Sequence, residues 1–214
     1  METTGKHPAG LFITFEGIDG SGKSTQLALL AEKLRQADKT VIETRNPGGI
    51  PFGQQLREIL LHSKGHVCPT SELLLFMADR AQHMQELVLP ALAEGKIVLC
   101  DRHIDSSIAY QGYGRGLEID EISHLNALAI SGQKPHLTFL FDGDPALLAQ
   151  RVNNRGEADR LEGESLGFYQ RVRAGYLSIA KAEPQRFIVL DALETKESLL
   201  ETLYAALEKQ FELV

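Results

Sequence analysis

Residues 17–24 read Gly-Ile-Asp-Gly-Ser-Gly-Lys-Ser and meet every fixed position of G-x-x-x-x-G-K-[ST]. That loop has chemical meaning only between a buried strand and the start of a helix, and both flanks are present. Leu11 to Phe15 is an apolar, strand-like stretch, while Thr25-Gln26-Leu27-Ala28-Leu29-Leu30-Ala31-Glu32-Lys33-Leu34 reads as a helix. Glycines let the backbone curl so that successive N–H groups point at phosphate oxygens, and the helix N-terminus adds its dipole. The segment Gly17-Ile18-Asp19-Gly20-Ser21-Gly22-Lys23-Ser24-Thr25 is therefore expected to cradle the phosphates of ATP. Lys23 would neutralise the β- and γ-phosphates, and the Ser24 hydroxyl would ligate Mg²⁺.

Further along, short apolar runs alternate with helical stretches. Val41–Thr44, Ile97–Cys100, Leu137–Phe141 and Phe187–Leu190 resemble the first run in length and in β-branched or aromatic content. Runs apolar on both faces indicate strands covered by helices on either side, hence a parallel sheet of five strands in a doubly wound α/β fold. Leu199, Leu200, Leu203, Ala206, Leu207 and Phe211 recur at helical spacing, so a C-terminal helix should cover that sheet. Thr70 or Ser71 is placed to cap the helix through Leu73 to Phe76, and residues 119–130 read as another helix. The polar, charge-dense stretch within residues 151–162 interrupts the pattern and is expected to be a short lid rather than a boundary. With 214 residues, 43% hydrophobic and 24% charged, the whole span 1–214 is expected to form one domain.

Composition also narrows the partners. A net charge of −7 argues against a nucleic-acid surface, although arginines gather between Arg151 and Arg173, where a small anion would suit them. Two cysteines, Cys68 and Cys100, make neither a disulfide framework nor a zinc site, and Cys100 should be a buried thiol. The first ten residues are polar and no apolar run has membrane length, so no membrane partner is expected and the cytoplasm is the expected location.

Ligands of such sheets bind beyond the carboxyl ends of the strands. The second run ends in Thr44-Arg45-Asn46-Pro47-Gly48-Gly49, a turn that presents Arg45 where a guanidinium can grip phosphate. The third ends in Asp101-Arg102-His103. Asp101 occupies the place of the acid that holds Mg²⁺ or its waters, and Arg102 is poised for a second phosphate. Transfer between two phosphates needs charge neutralisation rather than a strong base, so His103 is expected to pack.

With those residues in view, the sequence resembles the thymidylate kinases, of the bacterial form that carries arginines in its lid. Five segments carry the resemblance. They are Phe-Glu-Gly-Ile-Asp-Gly-Ser-Gly-Lys-Ser-Thr-Gln at 15–26, Thr-Arg-Asn-Pro-Gly-Gly at 44–49, Leu-Leu-Leu-Phe-Met-Ala-Asp-Arg at 73–80, Asp-Arg-His at 101–103 with Ala-Tyr-Gln-Gly at 109–112, and Arg-Gly-Glu-Ala-Asp-Arg at 155–160. The resemblance implies a phosphate-loop nucleoside monophosphate kinase that makes dTDP from dTMP with ATP and Mg²⁺, on the path to dTTP, and works as a homodimer. It implies that Asp19 holds the sugar 3′-hydroxyl, that Phe76 stacks on thymine, and that Arg80 bonds the carbonyl edge of the base. Arg45 and Arg102 would bind the dTMP phosphate, while Ser106, Tyr110 and Gln111 would line the pocket, Tyr110 filling the space of a ribose 2′-hydroxyl. It also implies a cis Asn46–Pro47 bond. Some members carry a phosphate-loop arginine where this chain has Gly20, so the catalytic arginine is expected among Arg151, Arg155 and Arg160. Asn46 departs from the glutamate usual in bacterial members and removes a charge from that turn. The alternatives are a deoxynucleoside kinase or another nucleoside monophosphate kinase. A nucleotide-gated switch is disfavoured because neither an Asn-Lys-x-Asp segment nor a switch-type Asp-x-x-Gly is present.

Overall fold

The computed structural model describes residues 10–63, 65–152 and 163–211. Five strands, β1 (Leu11–Glu16), β2 (Val41–Arg45), β3 (Ile97–Asp101), β4 (Leu137–Asp142) and β5 (Phe187–Asp191), form one parallel sheet in the order β2-β3-β1-β4-β5. Alternation decides what each residue covers. Leu11, Ile13, Phe15, Ile97 and Leu99 enter one apolar cluster, and Phe12, Val98 and Cys100 enter a second. Helices α1 (Lys23–Gln36), α8 (Leu166–Ala182) and α9 (Lys196–Phe211) cover the first face with Leu30, Val172 and Leu203. Met84 and Val88 of a π-helical turn (Met84–Val88), Ala91 of α4 (Leu89–Ala93) and Ile104 of α5 (Ile104–Ser107) cover the second. Each fully buried Leu or Phe contributes about 1.5–3 kcal/mol, so both faces are held by burial rather than by strand propensity.

The expectation of strands covered on both faces holds for β1, β3 and β4 but not for β2 and β5. Those two are the sheet edges, and Glu43, Arg45 and Val189 are exposed. The reason is strand order, which short apolar runs do not encode. A second correction concerns α3 (Pro69–His83). Neither Thr70 nor Ser71 caps it, because it begins earlier, on Pro69, after an extended Cys68. Proline in a first turn gives up an N–H that would have had no helical partner anyway.

Two more helices frame the ligand edge: α2 (Pro51–His62) packs on α3, and α6 (Ile119–Ala129) packs on α3 from the other side. The α5 helix runs directly into a second π-helical turn, Ile108–Gly114. Helix α7 (Pro145–Val152) leads to residues 153–162, so most of the expected lid lies outside the described residues. No helix among the described residues is long and apolar enough to cross a membrane.

Candidate active site

Every strand ends on a charge: Glu16, Arg45, Asp101, Asp142 and Asp191. Register sets Arg45 and Phe15 on either side of Asp101, so the first three strands deliver their ends to one place. From β1 the chain enters the phosphate loop through Gly17, at φ +136°, where a Cβ would come within 2.5 Å of the Phe141 carbonyl oxygen. It leaves through Gly22, at φ +90°, where a Cβ would meet nothing within 4 Å. The left-handed turn, not crowding, requires the second glycine.

Lys23 is buried with its Nζ donating to the Ile18 carbonyl at 3.0 Å. Burial, joined by the charge of Arg102, lowers its pKa to about 8. Ser24 Oγ lies 2.5 Å from Asp101 Oδ2, and both residues line a polar cavity of about 920 Å³ with Lys23 and Arg45. Arg45 makes no ion pair among the described residues. The Ser24–Asp101 pair fits Mg²⁺, which prefers oxygen ligands and keeps waters and substrate phosphates in the rest of its shell. A denser cluster of carboxylates or histidines, which a dedicated protein cage would need, is absent among the described residues.

A second cavity of about 550 Å³ adjoins the first and is lined by Phe76, Arg80, Ser106, Tyr110 and Gln111. Asp19, Arg57 and Arg102 line both cavities and mark their junction. Arg102 has a left-handed backbone, φ +68°, and reaches back over the loop. Its Nη1 donates to the Gly17 carbonyl at 2.9 Å and its Nη2 to Asp19 Oδ1 at 2.7 Å, while the guanidinium lies 5.0 Å from the centre of the Tyr110 ring. Burial alone would raise the Asp19 pKa, but the charges of Arg102 and Lys23 hold it at about 2. The Tyr110 hydroxyl approaches the other Asp19 oxygen at 3.5 Å.

Beneath Arg102 lies Glu16, fully buried. It accepts hydrogen bonds from the His103 N–H at 2.7 Å, Ser106 Oγ at 2.6 Å and the Tyr176 hydroxyl at 2.8 Å. Burial, with the Asp105 charge behind it, raises its pKa. His103 packs edge-on against Phe12 at 4.9 Å, and neither ring nitrogen finds a partner among the described residues. Burial pushes its pKa well below the usual value, so the imidazole stays neutral.

Phe76 and Arg80 share one wall of the second cavity. Arg80, 1% exposed, is committed far more deeply than an exposed reader of a base edge would be. Nε donates to Asn46 Oδ1, Nη1 to Ser107 Oγ and Asn126 Oδ1, and Nη2 to the His103 carbonyl. Burial lowers its pKa to about 10, leaving it charged at neutral pH. Of its five N–H groups, one on Nη2 is left for a ligand. The Asn46–Pro47 bond is cis. Asn46 is buried and bridges two partners, donating Nδ2 to Asp79 and accepting from Arg80. A glutamate could not make that donation, so in this chain the amide orders the turn that a charge was expected to order.

Arg151 is the one expected lid arginine within the described residues, and its Nη1 donates to the Ala192 carbonyl at 3.0 Å. Arg155 and Arg160 lie outside them. Sequence reasoning passed over Glu16, Arg57, Glu72 and Tyr176. Glu16 could have been found, since it is the charge that ends the first apolar run. Arg57 and Tyr176 arrive from helices whose faces only the packed fold reveals.

A family model described as thymidylate kinase matches residues 15–203. The thymidylate kinase of Solidesulfovibrio magneticus is 48% identical over 207 residues, covering 93% of this chain and 99% of that protein. That of Deinococcus radiodurans is 49% identical over 201 residues, covering 94% and 98%. The crystal structure of thymidylate kinase from Ehrlichia chaffeensis superposes with a TM-score of 0.78 at 39% identity, covering 94% of this chain and all of the other. The chain belongs to the thymidylate kinase family.

Proposed function

We propose that the chain is one kinase domain that transfers the γ-phosphoryl group of ATP to dTMP. A dTMP phosphate oxygen bonds to the γ-phosphorus, the bond from that phosphorus to the β-bridging oxygen breaks, and dTDP and ADP leave. The observation that carries this reading is the junction of the two cavities at Asp19, Arg57 and Arg102. A triphosphate on the loop and a monophosphate anchored in the second cavity would meet there, end to end.

The chemistry asks for positioning and cations, not for a base, because the attacking oxygen of a dTMP dianion carries no proton. Lys23 is aimed into the loop, Arg45 makes no ion pair among the described residues, and Arg102 faces the junction. Ser24 and Asp101 would hold Mg²⁺, which supplies charge neutralisation along the phosphates. Asp19 and Tyr110 stand together where the acceptor sugar would lie. Phe76 offers its ring to the base, and the remaining Arg80 N–H its carbonyl edge. Further positive charge in the transition state would come from the lid through Arg151, Arg155 or Arg160. The same reading puts the enzyme in the cytoplasm as a homodimer, whose interface would cover the exposed Leu74 of α3 and Leu128 of α6. Coupled ADP release with dTMP, dUMP, dCMP, dGMP, AMP and thymidine tests the activity. A preference for dTMP is expected, and a preference for thymidine or for a purine monophosphate refutes it.

A further inference from the structure

Gln111 has chemically opposite ends, a carbonyl that accepts and an amide that donates, and its neighbour decides which end the second cavity sees. Its Nε2 donates to Glu72 Oε1 at 2.9 Å. The Glu72 side chain is 1% exposed and sits in the first turn of α3. Both of its oxygens are gripped by one guanidinium, Arg115 Nε to Oε1 and Nη2 to Oε2, each at 3.2 Å. Arg115 is itself anchored by Nη1 to Glu164 and by its position 4.9 Å from the centre of the Phe168 ring.

An arginine-bound carboxylate has no proton to give, so it only accepts. Gln111 must therefore turn its amide to Glu72 and its carbonyl to the cavity it lines, where no described residue donates to it. In the same cavity Arg80 retains one Nη2–H. The wall thus pairs an acceptor with a donor. A thymine or uracil imide carries a donor, N3–H, beside an acceptor, O4, and matches it. Cytosine carries an acceptor at N3 beside a donor amino group, and opposes it at both points. Burying a carboxylate is costly, and a neutral residue at position 72 could bind Gln111 in either orientation. What the charge adds is the polarity of that amide.

Resting on the reading of the second cavity as the acceptor site, we infer that Glu72, held by Arg115, is a specificity-determining positioning residue. By orienting Gln111 it makes the cavity select an imide base over cytosine. The test measures kcat/KM for dTMP, dUMP and dCMP with the full chain at saturating ATP. A parent that does not favour dTMP over dCMP refutes the proposed function itself. Given that preference, Glu72→Gln, which can donate to Gln111 and let it turn over, is expected to lower the dTMP:dCMP ratio by about tenfold or more, with dUMP following dTMP. A contact that only ties α3 to the Ile108–Gly114 turn would slow all three substrates alike, so a ratio within about threefold of the parent overturns the inference. Gln111→Met removes both ends of the amide and does not depend on how Glu72→Gln folds. It is expected to lose the ratio similarly, and an unchanged ratio overturns the inference. In the Gln111→Met background, Glu72→Gln should change the ratio no further, and an additional loss overturns it as well.

Discussion

Lys23 has a proton affinity that should change when ATP binds. In the free protein its pKa is about 8, lowered first by burial and then by the Arg102 charge. A bound triphosphate puts several negative charges beside the ammonium and should restore its pKa to about 10 or above. ATP binding must then take up the protons that free Lys23 lacks, which is about 0.1 per site at pH 7, about 0.5 at pH 8 and about 0.9 at pH 9. Affinity should fall towards tenfold per pH unit above about pH 8, because the competent free form becomes the minority. Terminal phosphate groups titrate near pH 6, so their own protons do not interfere at pH 8 and above. The assay is titration calorimetry at each pH in two buffers of different ionisation enthalpy, where the difference in apparent enthalpy gives the protons taken up. Lys23→Met should bind ATP weakly and with no uptake at pH 8, and turnover should fall by orders of magnitude. Arg102→Met should raise the Lys23 pKa and reduce the uptake. Uptake below about 0.2 at pH 8, or equal uptake in Lys23→Met, would refute the assignment.

His83 supplies a prediction about acid stability. It is fully buried, bonded to Thr44 Oγ1 at 2.7 Å, and burial followed by the Arg80 charge lowers its pKa to about 4. Since the unfolded chain binds this proton from pH 6.5 downwards and the folded one does not, stability is complete above 6.5. It should decline by about 3 kcal/mol as pH falls to 4. Urea unfolding of the parent and His83→Gln at both pH values measures it, and equal pH slopes contradict it. Tyr110→Leu should raise activity on ribothymidine monophosphate relative to dTMP, and an unchanged ratio dismisses steric exclusion of the 2′-hydroxyl. Among Arg151→Ala, Arg155→Ala and Arg160→Ala, at least one should lower turnover by about 10³-fold with ATP affinity largely kept. If all three stay within a few-fold, the transition-state charge is balanced elsewhere.

Local sterics and periodicity settled much of this protein in its sequence. The phosphate loop is legible because glycines, lysine and serine act on the backbone they belong to, and the strands because short apolar runs have few other uses. Even the edge where ligands gather could be read, since Arg45 and Asp101 each stand at the end of a strand-like run. Tertiary structure decided the rest. Strand order brings Ser24 to Asp101 across 77 residues and exposes β2 and β5 as edges. Helix packing brings Tyr176 to Glu16 across 160 residues, and Arg115 to Glu72 across 43. No local pattern encodes such pairs, because each partner alone is an ordinary polar residue on a helix or at a strand end. Their meaning is a carboxylate met by a hydroxyl or a guanidinium from a distant element, and only the assembled layers bring the two together.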